Sequence, residues 1–226
     1  MSGQTSFADL RHANARSAER LVQLFVVIRP DDQRRCHVQK EQHVIERVDV
    51  VSVFGSSQAP RNSPAYREAW QVGALLADKG LIVCSGGYGG VMEAVSRGAK
   101  EAGGTVVAVT TRLFPDLRAN PWVDEEIRTD TFPERLLKLI DMGHAYLALK
   151  GGVGTLTEIS TVWSLLQTHS IPPRPFVVLS DPWQGLLEFC TEELIIRNRD
   201  FEYVQLASTP ETAVSSLVEA LRAQRS

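Results

Sequence analysis

The stretch Gly151-Gly-Val-Gly-Thr-Leu-Thr-Glu158 puts three glycines in four residues, between the apolar run Ala145 to Leu149 and a segment with helical spacing. A turn there carries a strand into a helix. The first amides of a helix are unpaired and carry positive partial charge, so such a turn suits a phosphate or a carboxylate. Glycine lets the anion approach the backbone with no Cβ in the way. The Thr155 hydroxyl would be an extra donor. The alternative is a tight connection that holds nothing.

Glu158 also has two readings. Thr155-Leu-Thr-Glu158 spells a capping box, in which Thr155 caps the amide of Glu158 and Glu158 reaches back to the amide of Thr155. A carboxylate at the rim of an anion-binding turn would, however, lie beside whatever carries the anion. If that is a ribose, the carboxylate can stabilise an oxocarbenium-like centre or activate a water. Arg135, in Phe132-Pro-Glu-Arg-Leu136, stands at the start of a helix that leads into the strand Ala145 to Leu149. It can reach the same crevice, where its fork would bind phosphate or sugar hydroxyls. In isolation it reads as a surface arginine paired with Glu134 or Asp130.

These residues need a scaffold, and from Val48 onward the chain supplies a regular one. Apolar runs at Val48 to Phe54, Leu81 to Cys84, Thr105 to Thr110, Ala145 to Leu149 and Pro175 to Leu179 predict buried strands, with Tyr203 to Ala207 as an edge strand. Between them, Pro64 to Lys79 (with Tyr66, Ala69, Trp70, Gly73, Leu76 and Ala77 on one face), a helix that follows the turn Ser85-Gly-Gly87 and runs to about Ala102, a helix from Pro133, Thr155 to about Gln167, Trp183 to Ile196 and Pro210 to Ala223 have helical spacing. The stretch from Thr110 to about Thr131 reads as an irregular loop. Short apolar strands alternating with amphipathic helices predict a doubly wound parallel sheet covered on both faces, an α/β fold. Ligands of such sheets bind outside the carboxyl ends of the strands. Three glycine-rich turns fall at such ends: Gly55-Ser56-Ser57, Ser85 to Gly90, and Gly151 to Thr155. Three turns in register favour an anionic ligand over a bare connection.

Residues 1–46 read as an N-terminal appendage, with Ser6 to Ile28 as a candidate helix, and residues 47–226 as the nucleotide-binding domain. With 226 residues, 43% hydrophobic and 23% charged, the chain is ordinary for a globular protein, and its net charge of −3 disfavours nucleic acid as a partner. Three scattered cysteines make no disulfide framework or CxxC pair and fit a reducing, cytoplasmic setting. No run is apolar enough to span a bilayer, and no signal peptide is expected. No Walker loop is present, and Gly86-Gly-Tyr-Gly-Gly90 is not GxGxxG. No cluster has metal-ligand spacing, and His144 and His169 read as structural or surface residues.

Gly86-Gly-Tyr-Gly-Gly-Val-Met-Glu-Ala94, continuing to Arg97-Gly-Ala-Lys-Glu-Ala-Gly-Gly104, resembles the pattern GGGPGIMEAANRGAxEAGG. Gly151 to Glu158 resembles PGGxGTxxE. Together they are the two signatures of the LOG family, often labelled lysine decarboxylase. Gly55-Ser-Ser57, Asn120-Pro121, Gln167-Thr168 and Asp181-Pro-Trp183 also fall where long-form members have similar residues. The resemblance covers about Val48 to Ala213. It implies a Rossmann-like fold, a homodimer with the site near the subunit interface, and hydrolysis of the N-glycosidic bond of a nucleoside 5′-monophosphate, AMP or N6-modified AMP, with no cofactor or metal. It puts Arg135 and Glu158 in the catalytic pair. The ligand-binding set is then Gly55, Ser56, Ser57, Gly86, Gly87, Gly90, Met92, Glu93, Gly151, Gly152, Gly154 and Thr155. Among the departures from the pattern are Tyr88 for glycine, Leu136 for lysine, Lys150 for proline and Thr157 for an acidic residue. A phosphoribohydrolase is therefore weighed against a non-catalytic carrier of a nucleotide or a molybdenum-cofactor-like pterin, and more weakly against a single-strand DNA-binding relative. Lysine decarboxylation finds no pyridoxal-binding lysine context.

Overall fold

In the computed structural model the chain divides between Ile45 and Glu46, and the structure describes residues 48–179 and 183–225. The expectations for residues 1–46, and Asp181-Pro182, lie outside the described residues.

The apolar runs form strands because continuous apolar residues, β-branched in most of them, bury both faces of a pleated ribbon. These are β1 (Val50–Phe54), β2 (Ile82–Ser85), β3 (Val106–Thr111), β5 (Ala145–Ala148) and β6 (Phe176–Leu179); β2, β3, β5 and β6 are buried along their whole length and β1 from its second residue. Two further strands complete the sheet, β4 (Glu125–Thr129) and β7 (Gln205–Ala207). All seven are parallel, in the order β4-β3-β2-β1-β5-β6-β7. The order reverses between β1 and β5, the switch point at which open α/β sheets bind ligands.

Strand β4 replaces part of the expected irregular loop. Its sequence, Glu-Glu-Ile-Arg-Thr, alternates between half-buried and exposed residues at the sheet edge. Charge on an edge strand blunts unwanted pairing. It also removes the apolar signal by which a strand is read.

The helices are α1 (Pro64–Asp78), α2 (Val91–Glu101), α3 (Phe132–Met142), α4 (Val153–Gln167), α5 (Trp183–Glu193) and α6 (Pro210–Ala223). Ser63, Thr131 and Thr209 cap α1, α3 and α6, each followed by a proline in the first turn, where its missing N–H costs nothing. Helices α1 and α2 cross so closely that a Cβ on Gly98 would stand 1.9 Å from the Trp70 carbonyl oxygen. Trp70 itself was expected on the buried face of α1. It is instead 38% exposed, its indole donating to Glu101 at 2.7 Å, and Val72 fills the core in its place. Helices α1, α2 and α6 pack with β1, β2, β5 and β6 in one apolar core, including Leu76, Val83, Val95, Leu147 and Leu217. Among the described residues no helix is long and apolar enough to cross a membrane.

Candidate active site

The three glycine turns meet at the switch point. The amide of Ser56, after β1, donates to the Lys150 carbonyl after β5 at 3.1 Å, and the Ser56 carbonyl accepts from the Val91 amide at the start of α2 at 2.7 Å. One residue thus ties all three turns together. Gly55 lies against Val91, where a Cβ would come within 2.2 Å of a valine methyl. The Ser56 hydroxyl accepts from the Gln58 amide at 3.0 Å, and Ser57 is exposed at the rim.

The turn after β2 is packed from within. Gly87 and Gly90 have φ of 76° and 64°, a region that favours glycine. A Cβ on Gly90 would meet the Ser56 carbonyl oxygen at 2.5 Å, and one on Gly87 the Ala108 side chain at 2.6 Å. Asn120, buried, anchors this turn. Its amide donates to the Gly87 carbonyl at 2.7 Å, and its Nδ2 donates to the carbonyls of Gly87 and Tyr88 at 3.0 and 3.1 Å. The Asn120-Pro121 pair was the sequence signal for this anchor, though nothing in it revealed the role.

Arg135 is buried rather than paired on the surface. Thr131 and Glu134 form a capping box at the start of α3, Asp130 pairs with Arg112, and Arg135 turns inward. Its Nε donates to the Val109 carbonyl in β3 at 2.9 Å, and its Nη2 lies 3.9 Å from the Met92 sulfur. Gly86 lies directly against it: a Cβ there would fall 1.8 Å from Nη2. The guanidinium carbon stands 5.5 Å from the centre of the Tyr88 ring, within cation–π range. Its Nη1 is 4.0 Å from Glu158 Oε1.

Glu158 does not cap its helix. Helix α4 begins at Val153, two residues earlier than expected, and its N-cap is Gly152, which makes no side-chain cap. Thr155 is then the third residue of the helix, buried against Gly151, and the capping box cannot form. Glu158 sits one turn further in, 8% exposed and facing Arg135. Burial raises its pKa to about 7, against the opposing charge of Arg135. A carboxyl poised there exchanges a proton readily at neutral pH.

Around Gly152 and Gly154 the surroundings are open. An added Cβ at either would meet nothing within 4 Å. Gly152, Val153 and Gly154 are exposed, so the unpaired amides that open α4 lie at the surface. Met92 and Glu93 are buried in the first turn of α2, and Glu93 pairs with Arg61 at 2.6 Å, a partner that no sequence pattern pointed to. His144 is half-buried, its Nδ1 accepting from the Val50 amide at 3.0 Å, and His169 is exposed. Among the described residues no cluster of histidine, cysteine and acidic side chains could hold a metal.

The model of a family described as possible lysine decarboxylase matches residues 92–217, and the chain belongs to this family, the LOG family. A Mycobacterium tuberculosis protein named cytokinin riboside 5′-monophosphate phosphoribohydrolase is 36% identical over 130 residues, 55% of this chain and 67% of that one. An uncharacterized protein of Archaeoglobus fulgidus is 39% identical over 110 residues, 49% of this chain and 70% of that one. Among solved structures, the molybdenum cofactor binding protein of Rippkaea orientalis aligns with a TM-score of 0.62 at 25% identity, covering 80% of this chain and 99% of that one. The doubly wound, Rossmann-like architecture is thus shared by proteins named for hydrolysis and for cofactor binding.

Proposed function

We propose that the chain is a nucleoside 5′-monophosphate phosphoribohydrolase acting on AMP or an N6-modified AMP. The observation that carries this reading is the buried Arg135–Glu158 pair, 4.0 Å apart beside the open first turn of α4. In this reading the amides of Gly152, Val153 and Gly154 receive the 5′-phosphate. That binding fixes the ribose near Glu158. The Glu158 carboxylate stabilises positive charge at the anomeric carbon and takes a proton from the attacking water. The water's oxygen bonds to that carbon, the bond to the base breaks with its electron pair leaving on the nitrogen, and the proton taken up by Glu158 passes on to that base, which restores the carboxylate. The products are free base and ribose 5-phosphate. Arg135, held at its Nε end, offers its other nitrogens to the sugar or phosphate oxygens. Protein groups and the substrate phosphate suffice, so the reaction needs no cofactor.

The chain would act as a homodimer, as the resemblance implies. Val153, 81% exposed, and Leu156 form apolar surface next to the site that pairing would cover; sedimentation at equilibrium tests this.

A second reading, a carrier of a phosphorylated ligand, is favoured by the likeness to the Rippkaea orientalis protein and by the changes at Tyr88, Leu136, Lys150 and Thr157. Chromatography of incubations with nucleoside monophosphates separates the two. Equal amounts of free base and ribose 5-phosphate from wild type, with none from Glu158→Ala, support the enzyme. Intact nucleotide throughout, with a ligand-raised melting temperature, supports the carrier.

A further inference from the structure

We propose that Tyr88 is a positioning residue of this site: its ring, locked to the backbone of Thr111, holds the Arg135 guanidinium in place beside Glu158. The kinetic part of this proposal rests on the phosphoribohydrolase reading; the positional part does not.

Tyr88 stands where the family pattern has glycine. A bulky residue there would be expected to narrow the ligand space. The ring is instead 93% buried and turned against Arg135. Its hydroxyl accepts from the Thr111 amide at 3.0 Å and lies 3.3 Å from the Thr111 carbonyl, to which it donates. This pair of hydrogen bonds to one residue at the end of β3 holds the hydroxyl end of the ring. Phe114 meets its edge, with ring centres 6.1 Å apart and planes at 77°. The Tyr88 carbonyl is tied separately by Asn120. Backbone and ring are thus fixed by different partners.

The arginine meets five neighbours. Val109 accepts from Nε, Gly86 and the Met92 sulfur bound Nη2, Glu158 faces Nη1, and the Tyr88 ring lies against the guanidinium. The ring adds support from an aromatic face, where a cation is held electrostatically as well as sterically. A tyrosine serving only as core filler would keep the same hydroxyl contacts, yet its loss would leave the arginine where it is. That difference is measurable.

The charge facing Glu158 from α3 is Arg135. Strand β1, against which α4 packs, brings no titratable side chain. The 3-10 helix Asn198–Tyr203, with Asp200 paired to Arg197, meets α4 further along, at Trp163. Arg135 is therefore the group whose placement Glu158 registers.

The test uses the full chain, uniformly labelled with 15N, with the Arg135 Nε–H signal assigned by its loss in Arg135→Lys. In Tyr88→Leu that signal should broaden as the guanidinium turns, a change that loss of the ring current alone, which only moves it downfield, would not give. Tyr88→Phe, which keeps the ring, should stay near wild type. With AMP, Tyr88→Leu should lose about tenfold in kcat with KM within about twofold, and Tyr88→Phe should recover most of it. Tyr88→Met serves in place of leucine if that variant does not fold. An Nε–H signal as sharp as in wild type in the folded aliphatic variant, moved or not, overturns the proposal, as does a raised KM with unchanged kcat. If wild type releases no base from any nucleotide, the enzyme reading fails alone, and the Nε–H signal still decides whether Tyr88 positions Arg135.

Discussion

Two glycine turns face each other across the switch point, and their glycines serve opposite ends. After β2, each of Gly86, Gly87 and Gly90 is demanded by an atom of the protein: Arg135 Nη2, the Ala108 side chain and the Ser56 carbonyl oxygen. After β5, Gly152 and Gly154 are pressed by nothing within 4 Å. The first turn is a socket for side chains of the fold. The second leaves Gly152 and Gly154 open to their surroundings, as the proposed phosphate cradle requires. A pattern rich in glycine therefore carries two meanings, which the neighbours of each residue tell apart.

The sharpest way to break this contrast is Gly86→Ala. Its new methyl collides with the tip of a side chain rather than with backbone, so Arg135 gives way and the fold survives. Turnover should fall about 10²-fold or more, because displacing a catalytic group by an ångström costs that much. The melting temperature should move by only a few degrees. Gly152→Ala should do the reverse in kind. Its φ of −112° suits alanine, and stability should hold. The methyl would project into the open space at this turn, where the proposed phosphate sits, so KM should rise about tenfold with kcat little changed, the loss of one charge-assisted hydrogen bond. A KM unchanged in Gly152→Ala would mean that this turn is no cradle.

A smaller effect concerns stability. Burial lifts the Glu158 pKa from 4.5 to about 7. Between those values the folded state holds a proton that the unfolded state has released, so stability falls as pH rises through that window. Above it the ionised carboxyl is a buried burden. Glu158→Gln should therefore raise stability at pH 8 by about 1–2 kcal/mol, and the gain should shrink toward zero near pH 4. Thermal melts of both proteins at the two pH values check the sign.

Much of this arrangement was legible beforehand. The apolar runs announced five parallel strands because buried strands must be continuously apolar, and Tyr203 to Ala207 announced the edge strand β7. Edge strand β4 was hidden because its exposed positions carry Glu126 and Arg128. Thr155-Leu-Thr-Glu158 misled for a different reason. A capping box is defined by where a helix begins, and α4 begins at Val153, because the chain turns on Gly151 and Gly152. The same two-residue shift buries Glu158 and brings it to Arg135. The pairing of Arg135 with Tyr88, Gly86 and Val109 joins segments up to 49 positions apart (135 − 86), and no local pattern encodes it.

The pH dependence of kcat/KM for AMP tests the central claim most directly, because it reports the protonation of the free protein. With Glu158 acting as a carboxylate, kcat/KM should rise with pH to a plateau, with a midpoint near 7, and Glu158→Gln should lie about 10²–10⁴-fold below wild type across the range. A profile flat through neutral pH, or a glutamine variant as fast as wild type, would contradict it.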